Sequence, residues 1–332
     1  MQTSKLKTLF IYKYLEEHSD DENPVSTSEL IAMLEEKGIK AERKSIYADV
    51  EALKQIGCDI ISVRSPKSGF IMASRKFEIP EVRLLIDAVS SAGFITPNKT
   101  KALIEKLESL VSHNQAKAMK SQVYCESVSK CDNEEIYYVI DRLDEAIKAK
   151  RKVKFNYKRR NIDKENQKNY TNKTFTVSPY ALIWKDDHYY LVCNNTGKYN
   201  NLLNLRLDRM KRIEILDEPV RPLCEVSEYT DYFDTADYSS KMFNMFSGKI
   251  GKVKLLCDLD IREEIMDRFG VKIPLTASDI NHFETEITAA ISDGLVSWIM
   301  QYGSKLKVLE PQHLAEQVVE KAKTIAELYS NS

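Results

Sequence analysis

The sequence predicts a multidomain α+β protein, and three observations predict it. Three segments with apolar residues at helical spacing open the chain, and two short strand-like runs follow them. A central segment alternates apolar and polar residues at the period of half-buried strands. The last third alternates strand-like and helical segments. With 332 residues, the chain is long enough for roughly two or three hydrophobic cores.

The overall composition narrows the possible partners only slightly. Lys and Arg number 49 and Asp and Glu number 50, so any nucleic-acid binding must come from local patches. The six cysteines include no CxxC pair and no histidine at ligand spacing, so we expect neither a metal, nor a cofactor, nor a disulfide framework. The chain shows no signal-peptide pattern and no apolar run near the ~20 residues that span a bilayer. We therefore expect a cytoplasmic protein without a membrane partner.

Residues 1–76 predict three helices followed by a β-hairpin. Ser26 and Glu29 have the spacing of a capping box, so the second helix should begin at Ser26 and end near Gly38. The third helix should cover residues 42–56, and a Ser-Pro-Lys-Ser-Gly turn then joins two short strands. This order of elements is that of a winged helix-turn-helix domain.

Basic residues are concentrated on the third helix and the hairpin. Between residues 40 and 76, eight basic residues stand against four acidic ones. If the third helix enters the major groove of double-stranded DNA, it would contact bases or phosphates while the hairpin contacts the backbone. The candidate DNA-binding residues are Arg43, Lys44, Ser45 and Tyr47 on the helix, and Arg64 and Lys67 on the hairpin. The alternatives are a solvated charged helix end and a winged helix that contacts protein.

Residues 77–149 predict a helical connector with more apolar surface than a linker needs. These helices could form a bundle within the chain, a dimer surface, or a mixture of both. Winged-helix proteins usually meet symmetric operators as dimers, so we expect a homodimer.

Residues 150–222 predict several short antiparallel strands, which suggest a small β-barrel or a strongly bent sheet. Aromatic rings on these strands could stack on a base, and arginine is the natural bidentate partner of phosphate. Strand parity places Tyr180 on the same face as Trp184. The candidate effector-binding residues are Tyr157, Ser178, Tyr180, His188, Tyr190, Arg206 and Arg209. Each tyrosine could instead pack, and each arginine could instead form a salt bridge with Asp208 or Asp217.

The run from Ser178 to Val192, with Leu205 to Arg209, resembles the core of the WYL-domain transcriptional regulators. The Trp-Tyr-Leu run that gives this family its name stands here as Tyr189-Tyr190-Leu191, and either tyrosine could face a ligand. The resemblance implies an Sm-like barrel and a nucleotide or nucleic-acid effector, single-stranded DNA being one possibility. Residues 43–53 also resemble the recognition helix of such regulators, with Ala48 where an arginine is common.

The C-terminal part of the chain predicts a connector and a further domain. Residues 223–249 are acidic and aromatic and should form a packed connector. Residues 250–332 predict a small α+β domain with helices on one face of an antiparallel sheet. This domain resembles the C-terminal extension of WYL regulators, which implies a role in dimerisation or in closing over an effector.

The patterns predict a DNA-binding regulator in which an effector at the barrel shifts the spacing of two winged helices. An RNA-binding or single-stranded-nucleic-acid-binding adaptor is the alternative. An enzyme with Ser178 as nucleophile and His188 as base is a third class. The chain has no nucleophile elbow, no metal-spaced ligand set and no Gly-rich phosphate loop, so we expect no catalytic residues.

Overall fold

The computed structural model describes residues 2–120, 130–161, 169–195, 200–230 and 232–330. The chain divides into two compact units, Met1–Asp132 and Asn133–Ser332, called here the first and second units. Several antiparallel sheets and many helices make the protein multidomain α+β, as predicted. None of the helices in the described ranges is both long and apolar enough to cross a membrane.

The first unit begins with three helices and a hairpin. Their bounds are α1 Gln2–His18, α2 Thr27–Glu36, α3 Arg43–Gln55, β1 Ile60–Val63 and β2 Gly69–Met72. The predicted capping box is confirmed: Ser26 Oγ accepts from the Glu29 N–H at 3.2 Å, and the Glu29 carboxylate accepts from the Ser26 N–H at 2.6 Å. α3 buries Ile46, Val50 and Leu53 against the helices and the hairpin, which fixes the side of α3 that faces solvent.

Three further helices complete the described part of the first unit. They are α4 Ile79–Ser91, α5 Pro97–Glu108 and α6 His113–Lys120. Val82 and Ile86 of α4 pack with residues of α6 in a separate small core. The buried Asp20 carboxylate accepts from the Ser112 hydroxyl before α6 and from the Asn23 N–H, so this core is tied to the loop after α1.

The second unit begins with a helix and a five-stranded sheet. The bounds are α7 Ile136–Ala149, β3 Arg151–Asn161, β4 Asn169–Lys185, β5 His188–Asn194, β6 Leu203–Arg206 and β7 Met210–Pro219. The strand order is β6-β5-β4-β3-β7, and every described pair is antiparallel. Among the described strands β6 and β7 do not pair, so the sheet is open and a closed barrel is not confirmed.

The 17-residue strand β4 joins the two halves of this sheet. Its first half, up to Val177, pairs with β3 and its second half, from Ser178, pairs with β5, with a bulge between Pro179 and Ala181 inside the β4–β5 pairing. The helix α7, which the sequence analysis grouped with residues 77–149, packs against β3, β4 and β7. It buries Ile136 and Leu143, among others, on that sheet.

The C-terminal part of the second unit alternates strands and helices, as predicted. The bounds are α8 Thr235–Lys241, β8 Lys249–Asp258, α9 Arg262–Phe269, β9 Leu275–Ala277, β10 His282–Ile291, α10 Asp293–Met300, β11 Leu306–Glu310 and α11 Gln312–Ser330. The antiparallel sheet has the order β11-β8-β10-β9. Tyr238 and Met242, at α8, share a core with Ala181, Ile183 and Val192 of the first sheet. The segment between the two sheets is therefore packed.

Candidate nucleic-acid and effector sites

Three predicted DNA-binding residues come together at the start of α3 and the hairpin. The Arg43 guanidinium lies 6.0 Å from the centre of the Tyr47 ring, and that ring packs edge-on against Phe70 of β2 at 5.4 Å. Hydrogen bonding from Arg43, and then from Thr27, lowers the pKa of the Tyr47 hydroxyl, and the charge of Arg64 adds to this effect. The helix and the hairpin thus present one cationic surface around an aromatic ring.

The other predicted DNA-binding residues lie on or near this surface. Lys44 and Lys67 are exposed. The Ser45 hydroxyl is engaged inside the protein, where it accepts a hydrogen bond from Lys7 Nζ of α1. Lys7 also pairs with Asp49 at 2.6 Å, so Ser45 and Asp49 hold α1 to α3. No sequence pattern predicts this contact, because Lys7 lies 38 residues before Ser45.

In the second unit, Arg206 is held in a half-buried ion pair. Its Nε and Nη2 atoms donate to the two carboxylate oxygens of Asp208 at 3.0 and 2.7 Å. Tyr157 is 4% exposed, and its hydroxyl accepts from the Arg206 N–H at 3.2 Å. Tyr190 is the register partner of Arg206 between β5 and β6. Three predicted effector residues are therefore together, and the salt bridge weighed as the alternative for Arg206 is formed.

Burial raises the pKa of both tyrosines at this site. For Tyr157 the charge of Arg209 acts in the opposite direction, and for Tyr190 the charge of Arg206 does so. Both phenols therefore stay neutral near pH 7 and can donate a hydrogen bond. The site combines a bidentate cation, two phenols and the exposed Arg209.

Asn133 fixes the turn that carries Asp208. The Asn133 side chain is fully buried, and its Nδ2 donates to the main-chain oxygens of Asp208 at 3.2 Å and Met210 at 2.8 Å. The turn itself is the 3₁₀ helix Leu207–Arg209, which ends β6 at Arg206. Sequence reasoning missed Asn133, because a single asparagine far from the strands carries no pattern.

Ser178 and Tyr180 both form hydrogen bonds with the main chain of a different arginine, Arg221. Ser178 Oγ accepts from the Arg221 N–H at 3.0 Å, and the Tyr180 hydroxyl donates to the Arg221 main-chain oxygen at 2.8 Å. Burial is the main cause that raises the pKa of Tyr180 to about 12. Tyr180 packs with Ala181 and Ile183 and not with the exposed Trp184, so the predicted shared face is wrong. The bulge after Pro179 shifts the alternation by one residue.

His188 begins β5 directly after a two-residue turn. Asp186 and Asp187 of this turn have φ values of 50° and 57°. The ring Nδ1 of His188 lies 2.7 Å from the main-chain oxygen of Asp186. His188 pairs with Lys185, whereas Ser178 pairs with Asn194 at the other end of the β4–β5 pairing. At ~3.4 Å per residue, the two side chains are roughly 20 Å apart and do not form a nucleophile–base pair. Tyr189 stacks on Trp184 at 6.0 Å, on the face opposite Tyr190.

Two domain families match the second unit. A WYL domain matches residues 138–215, and a WCX domain matches residues 250–326. The chain thus carries a WYL domain followed by a WCX domain, which confirms the resemblance drawn from the Tyr189-Tyr190-Leu191 run.

The chain is similar to a protein of Bacillus subtilis (strain 168) named uncharacterized HTH-type transcriptional regulator YobV. The two are 20% identical over 298 residues, which cover 86% of this chain and 89% of YobV. Among solved structures, the proteasome accessory factor B/C (PafBC) of Arthrobacter aurescens matches 94% of this chain at 13% identity and a TM-score of 0.28. The match covers 47% of PafBC, so this chain spans about half its length. The match to the solved structure of a CRISPR Cas-related protein covers 99% of this chain and 84% of that protein's chain, at 13% identity and a TM-score of 0.37.

Proposed function

We propose that this protein is a transcriptional regulator that binds double-stranded operator DNA through its first unit. In this proposal the first unit is a winged helix-turn-helix domain, with α3 as recognition helix and β1 and β2 as wing. The WYL domain binds a nucleotide or nucleic-acid effector, and the protein acts as a homodimer without catalytic activity. The regulator named YobV, similar over most of the chain, supports this reading.

The convergence of Arg43, Tyr47 and Arg64 carries the DNA-binding proposal. Cations from a helix and from a hairpin lie around one exposed ring, beside the buried stripe of α3. Such a helix can enter a major groove, where its contacts with bases select the DNA sequence. The hairpin can meanwhile contact the adjacent phosphates, which position the protein on the DNA.

An electrophoretic shift assay on duplex promoter fragments tests this proposal. We expect Arg43→Ala and Lys44→Ala to weaken binding, and each to reduce the slope of log affinity against log salt by about one if the side chain meets a phosphate. Lys13→Ala is the matched control, because Lys13 is an exposed lysine of α1 whose described partner is Glu17 at 3.6 Å. Unchanged binding in both α3 variants would remove α3 as the recognition helix.

The grouping of Arg206 with Tyr157 and Tyr190 supports the effector site. An arginine fork can hold a phosphate while a neighbouring phenol donates a hydrogen bond or stacks on a base. His188, whose ring centre lies 6.3 Å from that of Tyr190, and Arg209 extend this site. Ser178 and Tyr180 support it indirectly, through their bonds to Arg221.

The effector proposal is tested on Arg206→Ala with single-stranded oligonucleotides and mononucleotides as probes. The variant should keep basal binding to duplex DNA but lose the change in that binding when the probe is added. Arg151→Ala is the control, since Arg151 is an exposed arginine of β3 paired with Asp217 at 3.3 Å. If Arg206→Ala responds like the wild type, Arg206 is not an effector ligand.

The effector would act by shifting the dimer between two arrangements of its DNA-binding units. The shift can be no larger than the preference of the effector for one arrangement over the other. Analytical ultracentrifugation with and without operator DNA tests the homodimer, and a monomer on DNA would contradict it.

A further inference from the structure

Two cations from different domains converge on one main-chain oxygen in the second unit. Lys185 is the last residue of β4 in the WYL domain, and its Nζ donates to the Met242 oxygen at 2.8 Å. Arg268 of α9 in the WCX domain donates from Nη2 to the same oxygen at 2.9 Å. The shared acceptor holds the two nitrogen atoms within about 6 Å of each other. Two like charges at this separation repel each other.

This repulsion is not balanced by a salt bridge. Within the part of the chain that the structure describes, neither Lys185 nor Arg268 lies within ion-pair distance of a carboxylate. Lys185 Nζ also donates to the Ser239 oxygen, but carbonyl groups accept hydrogen bonds without neutralising the charge. Burial, and then the charge of Arg268, lower the pKa of Lys185 to about 8, while Asp186 acts weakly in the opposite direction.

Both side chains keep donors for a ligand. An ammonium has three N–H donors and a guanidinium five, and contacts with described residues use two of the former and one of the latter. Nε and Nη1 of Arg268 are not buried without a partner among the described residues, so these two donors reach the surface, and Lys185 keeps one N–H beyond its two carbonyl contacts. Arg268 also lies over the Phe243 ring at 4.7 Å, which fixes the plane of its guanidinium.

A phosphate group fits these donors better than a carboxylate. A guanidinium can donate to two oxygens of one anion, and a lysine beside it then needs a third oxygen as its acceptor. A carboxylate has two oxygens, whereas a phosphate monoester has three that can accept hydrogen bonds. We propose that Lys185 and Arg268 form a phosphate-binding site that spans the WYL and WCX domains.

This site lies in line with the effector residues of the WYL domain. Lys185 is the register partner of His188, and Arg206 is the register partner of Tyr190. His188 and Tyr190 share a face of β5 and are ~7 Å apart along the strand. A ligand with two phosphates could therefore contact Arg206 with one and the Lys185–Arg268 pair with the other. The inference that the ligand carries two phosphates rests on the proposed function, whereas the phosphate site itself does not.

Calorimetry on the full-length protein with inorganic phosphate, against chloride at matched ionic strength, tests the site. We expect the wild type to bind phosphate, and Lys185→Gln and Arg268→Gln each to weaken binding at least about tenfold. Arg262→Gln is the matched control, because Arg262 opens the same helix α9, is exposed and pairs with Glu263. Phosphate affinity that is equal in the wild type and both variants would overturn the proposal.

A second measurement separates binding from a structural role of the two cations. If Lys185 and Arg268 serve only to hold the Met242 oxygen, their substitution lowers stability but phosphate leaves the Lys185 amine unchanged. If they bind phosphate, NMR of the labelled lysine amine in the wild type should show its pKa rising when phosphate replaces chloride. An unchanged titration would overturn the site without requiring any variant to fold.

Nucleotide probes distinguish this site from the proposed function. A dinucleotide and a single-stranded oligonucleotide, each with a 5′-phosphate monoester, should both lose affinity in Lys185→Gln if they supply the phosphate, and the probe that binds more tightly identifies the source. Binding of inorganic phosphate without binding of either probe would keep the site and contradict the effector proposal. Binding of a probe that needs Arg206 but neither Lys185 nor Arg268, together with no binding of inorganic phosphate, would keep the effector proposal and overturn the site.

Discussion

At the scale of single residues, Asp208 decides what Arg206 can bind. Its two carboxylate oxygens accept from Nε and Nη2 of the guanidinium, so an incoming anion must either displace Asp208 or use the remaining donors. The sequence already named Asp208 as an alternative partner, because it lies two residues from Arg206. Tyr157 was also a candidate effector residue, but its hydrogen bond with the Arg206 N–H was not predictable, because it joins β3 to the end of β6.

Asp208→Asn should strengthen the binding of an anionic effector. The substitution removes the competing charge while its amide keeps the shape of the turn, and a half-buried pair of this kind is worth about 1 kcal/mol, or several-fold in affinity. Fluorescence titration with a labelled single-stranded oligonucleotide measures the change. Asp217→Asn is the control, because Asp217 is an exposed acid on β7 that pairs with Arg151. Weaker binding in Asp208→Asn would mean that Asp208 supports the site.

His282 should make the stability of the second unit depend on pH. Its ring lies 2.8 Å from Asp279 and 3.0 Å from Asp258, and the hydrogen bond with Asp279 is the main cause that raises its pKa. Because the pKa of His282 is higher in the folded state, its protonation stabilises the folded protein at pH values below the unfolded-state pKa of ~6.5. This stabilisation is lost as the pH rises through the folded-state pKa.

The corresponding measurement is chemical denaturation of the wild type and His282→Gln. The variant should be less stable at about pH 5.5, and the difference should close by about pH 8.5. A difference that stays the same at both values would mean that packing of the ring, and not its charge, is what the substitution removes.

At the scale of elements, local signals were predictable and long-range geometry was not. The Ser26 capping box and the hairpin after α3 depend on residues that are neighbours in the chain, so their patterns are readable. The bulge at Tyr180 depends on how β4 changes partner from β3 to β5, and no local residue marks that position. The leucine run of β6 was readable, but its end at Arg206 is set by the buried Asn133.

Gly69→Ala should destabilise the hairpin and, with it, the proposed DNA-binding surface. A Cβ atom at Gly69 would lie 2.6 Å from the main-chain oxygen of Val25, which pairs with Phe70 beside it. We expect a loss of about 1–3 kcal/mol from the free energy of unfolding, because main chain must move to relieve the clash. Thermal denaturation measures it. Gly251→Ala is the control, since its Cβ would meet the end of the Ile291 side chain at 3.4 Å. Equal stability of the two variants would contradict the close approach at Gly69.

At the scale of the whole molecule, the chain is two compact units whose boundary falls between Asp132 and Asn133. The periodicity of α7 predicted a helix but not its partner, because an amphipathic face fits a bundle and a sheet equally well. Its packing on β3, β4 and β7 joins it to the WYL domain.

Residues 130–332, produced alone, should therefore fold and unfold in a single transition. Starting before Asn133 keeps the buried amide that holds the Leu207–Arg209 turn. The fragment should bind the same single-stranded probe as the whole protein but should not shift duplex DNA. Calorimetry and the shift assay test both statements, and a fragment that shifts duplex DNA would place an operator contact in the second unit.

Asn133 has a consequence for how a signal could travel. It is the first residue of the second unit, and its amide grips the turn that presents Asp208 to Arg206. The main chain that leaves the first unit at Asp132 therefore continues directly into the residue that holds the turn of Asp208, the counter-ion of Arg206. In the proposed regulator, this stretch of main chain gives a covalent route by which a change in the first unit could reach Arg206.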